Sequence, residues 1–284
     1  MKITRLVAAV ALLAGFACDQ VLAETKNDNL ASESMNPLSS LIALPFENNI
    51  LLNVGPSKST ANVLNFKPVF PTNFGKWKLI NRITVPIIWA EGQDIKVDGS
   101  IDWGGGNPGS LDTGSAFGIG DITYQGFITS SKSSGPTSWG IGGSIVIPTH
   151  TKARFGTDKW SAGPAIVVVR PGKKWIFGLI AQNVWSFAGD SDAADVNTFS
   201  IQPSINYKLG NGYYLTSAPL ITANWESESD NRWAIPLGGG VGRLIRMGGR
   251  AVAIDAGAYY YIEHPRYNPD WYIQILCNFL FPKH

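Results

Sequence analysis

Cysteine is almost missing from this chain of 284 residues: Cys18 and Cys277 are the two that occur. If the first leaves with a leader peptide, the second has no partner, and disulfides cannot hold the fold together. Charge is scarce as well, at 15% against the roughly 25% of ordinary soluble domains. A net charge of +2 without a basic stripe argues against a nucleic-acid partner. Beyond the leader, no run of roughly eighteen apolar residues exists to cross a bilayer as a helix. The mean hydropathy of +0.02 is likewise too low for a helical membrane bundle. What the chain holds in quantity is glycine, 31 residues, and tryptophan, 10 residues.

The N-terminus has the make-up of a secretory signal. Lys2 and Arg5 precede an apolar stretch at 6–16, and Val21-Leu22-Ala23 offers a small residue for cleavage before Glu24. Residues 1–23 are therefore expected to be removed on export. "GFAC", residues 15–18, is similar to a lipoprotein box but has Gly15 where an aliphatic residue belongs. A plain signal is the preferred reading.

From about residue 48 onward the hydrophobic period is two. Phe199, Ile201, Pro203, Ile205, Tyr207 and Leu209 fall on one face, with Ser200, Gln202, Ser204, Asn206 and Lys208 on the other. After Gly210-Asn211-Gly212 the alternation resumes through Tyr213, Leu215, Ile221 and Trp225, which makes the pair a hairpin. The same pattern marks 76–89 and 269–281. Strands are expected near 48–55, 61–70, 76–89, 115–130, 138–149, 160–170, 175–187, 197–209, 213–225, 232–246, 250–263 and 269–281. That is about twelve, most of them longer than the five or six residues usual in soluble sheets. A tilted strand of about nine to eleven residues crosses a bilayer.

Turn lengths and tryptophans separate a membrane barrel from a soluble sandwich. "PTNFG", "SKSSGPT", "PGKK", "GNG" and "MGG" are compact, whereas the connections between them are mostly longer, as for periplasmic turns and outer loops. With that orientation Trp89, Trp160, Trp185, Trp225, Trp233 and Trp271 lie at outer strand ends. Trp77, Trp139 and Trp175 lie at inner ends with Tyr207, Tyr213 and Phe281. Two aromatic girdles match two lipid–water interfaces, because an indole has an apolar body and a polar N–H. The expected fold is all-β: a transmembrane antiparallel up-and-down barrel of about 12 strands over 48–284, in the bacterial outer membrane. Residues 24–47 are expected in the periplasm. Within them Asn36 reads as a cap, Pro37 as a first helical residue, and Leu38, Leu41 and Ile42 as one face of a short helix. An ordered strap at the barrel mouth is expected there, with a regulatory plug as the sharper alternative. Pro86, Pro148, Pro164, Pro203, Pro219 and Pro236 fall inside expected strands, each removing a ladder donor. Arg243 shares a face with Trp233 and Leu237, which leaves that register open.

Several segments carry a family resemblance: "NPLSSLIALPFENN", "NFKPVFP", "INRITVPII", "GIGDITYQGFI", "WSAGPAIVVV", "NVWSFAGD", "QPSINYKL" and "NFLFPK". Over residues 36–283 the chain resembles the meta-pathway phenol-degradation family of outer-membrane β-barrels, usually described as transporters. The resemblance implies a barrel handling small aromatic or other apolar molecules, and it supplies no catalytic residues. His284 extends past the family's usual Lys end.

Chemistry has few places to reside. His150 and His264 fall in outer loops and His284 at the tail. Thr149 and Thr151 flank His150 without a serine on the same face, so a Ser–His hydrolase is disfavoured and a surface histidine expected. "GDSDAAD" places Asp190, Asp192 and Asp195 at calcium-loop spacing but lacks the central Gly and distal Glu. With Glu226, Glu228 and Asp230 it reads as a solvated acidic rim, or one bridged by divalent ions to lipopolysaccharide. "DWGGGNPGS" lacks the strand–helix setting of a phosphate cradle. Inward candidates are Lys78, Arg82, Thr84, Gln202, Ser204, Asn206, Lys208, Asp255, Tyr259, Tyr261, Gln274 and Asn278, with Asp255 expected to pair with Arg82 or Lys208. These polar groups either line a solute path or form a closed network. No cofactor or metal is expected, and an enzyme is not. Expected partners are outer-membrane lipids and lipopolysaccharide, the barrel-assembly machinery and a small-molecule solute. The expected function is passive passage of small, apolar or aromatic solutes, against a structural or adhesive closed barrel and, third, a lipid hydrolase.

Overall fold

The alternating stretches pair edge to edge until the last meets the first. A computed structural model describes residues 30–55, 58–90, 115–131, 135–248 and 250–281. The signal, Cys18, "DWGGGNPGS" and His284 lie outside these. Fifteen strand segments form one sheet. They are β1 (Ile42–Val54), β2 (Ser59–Phe66), β3 (Val69–Phe74), β4 (Trp77–Ala90), β5 (Ala116–Ile119), β6 (Ile122–Ser130), β7 (Ser138–Ile147), β8 (Lys159–Pro171), β9 (Trp175–Gly189), β10 (Asn197–Gly210), β11 (Tyr213–Ser217), β12 (Ile221–Asn224), β13 (Trp233–Met247), β14 (Arg250–Glu263) and β15 (Trp271–Phe281). Each pairs antiparallel with its neighbours, and β1 pairs with β15 from Ile42↔Phe281 to Leu52↔Trp271. That pairing closes a barrel of 12 strands, because β2/β3, β5/β6 and β11/β12 are halves of single strands. Closure satisfies the backbone inside hydrocarbon and leaves no edge.

Prolines account for the interruptions. β2 and β3 part at Lys67-Pro68, and β11 and β12 at Ala218-Pro219-Leu220. β5 and β6 part opposite Pro86, whose carbonyl accepts from Gly120 N at 2.9 Å. Pro148 follows the end of β7, pairing of β8 with β9 lapses between Ala162 and Ala165 around Pro164, and Pro236 adjoins a register shift against β14. In each case a missing N–H coincides with a break or bulge, not with loss of the strand.

The lipid face matches the period-two pattern. Trp77, Trp89, Trp139, Trp160, Trp175, Trp185, Trp225 and Trp271 are exposed on the outer surface. Trp233 packs edge-on against Trp225, ring centroids 5.7 Å apart. Arg243 is outward too, as its spacing implied. Near the inner end of β13 its guanidinium lies 4.4 Å from the Tyr213 ring centroid. The cost of a lipid-facing cation falls from about 2–4 kcal/mol at mid-bilayer to about 0–1 near the interface. Asn81, also outward, is satisfied locally. Its amide donates to Phe70 O at 3.1 Å and Thr72 Oγ1 at 3.3 Å, and its oxygen accepts from Tyr124 Oη at 2.8 Å.

Two expectations shift at the N-terminus. The helix occupies 30–34, not the stretch after Asn36. Asn36 instead shapes a turn, its Oδ1 accepting from Leu38 N at 2.9 Å. The Leu38/Leu41 spacing that read as a helical face serves burial against two walls of the barrel. β1 then starts at Ile42, six residues before the expected 48, because Pro45, Glu47 and Asn48 look like loop residues until β15 pairs with them.

Candidate functional site

Inside the barrel, residues from facing walls sort into three zones. At the outer end Leu51, Val54, Ala61, Val63, Ile88, Ala90, Tyr259, Tyr261 and Tyr272 bury around Phe155. Phe155 belongs to the loop 148–158, which folds into the mouth. Asp121, in the break between β5 and β6, holds that loop. Its Oδ1 accepts from Thr149 N (3.0 Å), His150 N (3.1 Å) and His150 Nδ1 (2.8 Å), and its Oδ2 from Thr157 N (2.7 Å). His150 Nε2 reaches Asp158 at 3.3 Å. The hydrogen bond to Asp121 raises the His150 pKa above its ordinary 6.5, with the Asp121 and Asp158 charges adding and burial opposing. Gly156 and Gly118 are required here: a Cβ at the first would meet Asp121 and His150, and at the second Thr151 and Phe155. His150 is thus no free surface histidine, since 9% of its side chain is accessible.

The inner end is closed by the N-terminal segment. Ala31 and Leu41 bury with Leu244, Ala251, Ala253 and Leu280, while Leu38 buries with Ile80, Phe127, Val167, Val169 and Ile176. Met35 packs against both groups. Two lysines fasten the segment: Lys78 Nζ donates to Leu38 O at 2.6 Å and Ser40 Oγ at 3.2 Å, and Lys208 Nζ to Ser32 Oγ at 3.0 Å. The plug alternative therefore describes its position better than a strap at the mouth.

Between the two ends the lumen is polar. Lys67 Nζ meets Glu47 Oε1 at 2.8 Å, and Gln125 Nε2 donates to Gln182 Oε1 at 2.6 Å. Gln274 Nε2 donates to Asn49 Oδ1 at 3.2 Å. A cavity of about 200 Å³ is bordered by the N-terminal segment and lined by polar Lys67, Arg82, Gln202 and Asn278 together with apolar Met35, Leu41, Leu276 and Leu280. Smaller cavities of about 50 and 40 Å³ continue past Asn65, Thr222 and Gln274 and past Thr84, Thr123 and Ser200.

All twelve inward candidates occupy the inner face, though not in one cluster. Lys78 and Lys208 hold the N-terminal segment, and Asn206 is buried. Arg82, Gln202, Gln274 and Asn278 line cavities. Tyr259 stacks on Tyr272 at 4.6 Å and is buried. Asp255 takes a hydrogen bond from Tyr214 Oη at 2.9 Å in place of the expected cation. The tyrosine ring reaches it across Gly242, where a Cβ would strike the ring. Glu47, Lys67, Asp121, Phe155 and the apolar inner wall escaped the sequence reading. Asp121 alone had a signal, a carboxylate between Gly120 and a strand. The acidic rim residues Asp190, Asp192, Asp195, Glu226, Glu228 and Asp230 are exposed. Among the described residues no three His, Cys, Asp or Glu side chains converge to hold a metal.

A family model described as "Putative MetA-pathway of phenol degradation" matches residues 49–268. The chain belongs to this family. No curated protein matches the sequence. Among solved structures, a COG4313 outer membrane channel from Pseudomonas putida F1 superposes with a TM-score of 0.62 at 14% identity, covering 93% of this chain and 100% of that one. The NanC porin gives 0.47 at 9% identity over 85% and 100%. Outer membrane phospholipase A from Escherichia coli gives 0.46 at 11% identity over 90% and 97%. At these identities the likeness concerns the fold, an outer-membrane barrel, and the last two bear on nothing further.

Proposed function

We propose that this member of the phenol-degradation family is a channel- or transporter-like barrel that passes small solutes passively through its lumen. The observation that carries the reading is the cavity of about 200 Å³, lined by polar and apolar side chains together and held between an outer and an inner closure. Such a space suits a small molecule with an apolar body and one or two polar groups. Selection would come from Lys67, Arg82 and Gln202, with no cofactor and no energy source. Lipid hydrolysis is disfavoured because both His150 nitrogens face carboxylates, while Thr149 Oγ1 and Thr151 Oγ1 accept from Ile122 N and Ile119 N. Outer-membrane lipids, lipopolysaccharide and the barrel-assembly machinery are its proposed partners. The COG4313 channel of similar fold adds support at the level of architecture. Reconstituted protein should conduct salt, and Arg82→Ala should alter its ion selectivity. A barrel silent to ions and solutes, yet binding cell surfaces, would instead favour the adhesive reading.

A further inference from the structure

The barrel wall is incomplete at one place. Around β11 and β12 the register is the same before and after the break: Ser217 faces Ile205 and Ile221 faces Ile201 on the β10 side. On the β13 side Thr216 faces Gly240 and Thr222 faces Ala234. Residues 218–220 pair with neither neighbour. No inserted residue explains this, since the spacing matches across the gap on both sides. Prolines do. Continuing the two registers puts Pro203 opposite Pro219 and Pro236 opposite Leu220, so three amide donors vanish from one patch.

Unpaired backbone is costly in hydrocarbon and tolerated where it lines a cavity. The chain meets that rule by turning the tripeptide inward. The Ala218 carbonyl accepts from Gln202 Nε2 at 3.2 Å, and the Ala218 N–H donates to Tyr259 Oη at 3.2 Å. Ala218 borders the main cavity, and Leu220 the two smaller ones. Outside, the flanking residues Ile205, Leu215, Leu237 and Val241 are apolar and exposed to lipid. The break lies halfway along the strand, at mid-bilayer depth.

We infer that residues 218–220 form a lateral door between the lumen and the membrane core, used by small apolar molecules carrying one polar group. The inference rests on the conduit reading and names its exit. Hydrogen bonds between Ala218 and the Gln202 and Tyr259 side chains hold the closed position, with one from Ser217 Oγ to Gly238 O at 2.6 Å at its edge, and no ladder bond opposes movement. An ion would stay on the axial path, because leaving through the wall means entering hydrocarbon.

The wall itself provides a staple. A Cβ built on Gly239 lies 3.5 Å from the Ser217 Cβ, within disulfide reach, and 2.8 Å from the Thr216 carbonyl oxygen, which must give way slightly. In a Cys277→Ser background, Ser217→Cys with Gly239→Cys ties β11 to β13 at the edge of the door. Entry of radiolabelled benzyl alcohol into vesicles with a lipopolysaccharide outer leaflet is measured beside potassium chloride conductance. Oxidation should cut benzyl alcohol entry roughly tenfold, leave conductance unchanged, and be reversed by reduction. Should the pair fail to fold, Pro203→Val with Pro219→Val, which returns two donors to the wall, should give the same split. Benzyl alcohol entry unaffected by a formed disulfide, or falling in step with conductance, overturns the door and leaves the conduit standing. A reduced protein passing neither solute nor salt overturns both.

Discussion

Replacing Asp121 with alanine should release the loop 148–158 from the barrel mouth. The carboxylate accepts four hydrogen bonds from that loop, three from backbone and one from His150 Nδ1. Bonds to a charged acceptor are worth about 1.5–3 kcal/mol each, a gross of about 6–12. Most of that returns when the freed N–H groups reach water, since the loop lies at the mouth. The net cost should resemble that of breaking a buried ion pair by removing one partner, about 3–5 kcal/mol. It should fall on the loop, because the β-ladder is untouched. Phe155 leaves its cluster with the loop, and the outer constriction widens. Amide hydrogen exchange should then lose protection at 148–158 alone, with higher single-channel conductance. The His150 linkage supplies a pH arm. Because its pKa is raised in the folded loop, its contribution is fully present below about 6.5 and fades as pH climbs through the raised value. The native loop should therefore loosen on the alkaline side, and His150→Gln should remove that dependence. Unchanged exchange and conductance in Asp121→Ala would refute the reasoning.

Other outcomes follow from single contacts. Tyr124→Phe removes the donor to Asn81 Oδ1 on the lipid face and should cost about 1–2 kcal/mol in urea unfolding, while adding Asn81→Leu should recover most of it. Gly142→Ala would drive a Cβ into the Gly126 carbonyl and should lower folded yield, read as loss of the heat-modifiable band. Deleting residues 30–41 should open the inner end and raise conductance several-fold, and, by uncovering Ile80, Phe127, Val167 and Leu244, should lower barrel stability. Lys78→Met, which frees the segment at one fastening, should act in the same direction but more weakly.

The barrel was legible because a membrane strand writes itself in period two. Trp77, Trp175 and Trp225 had to face lipid whatever the neighbouring strand did, and Gly210-Asn211-Gly212 had to turn. Inward positions were assigned by the same parity, which is why Arg82, Gln274 and Asn278 sit on the inner face. Parity says nothing of depth or partner, so it could not separate lysines that tie down the N-terminal segment from those beside the cavity. It also failed wherever both faces are apolar. Ile80, Phe127, Val167 and Leu244 turn inward as firmly as their neighbours turn out, because the N-terminal segment covers them.

Local sequence thus determined strand number and lipid-facing residues, since each depends on a strand and its solvent alone. The closures were decided by contacts between distant segments: Leu38 with Phe127, Asp121 with loop 148–158, Tyr214 with Asp255. So was the unpaired stretch 218–220, where prolines from three successive strands meet in the wall. Proximity of that kind exists only once the strands have paired in register.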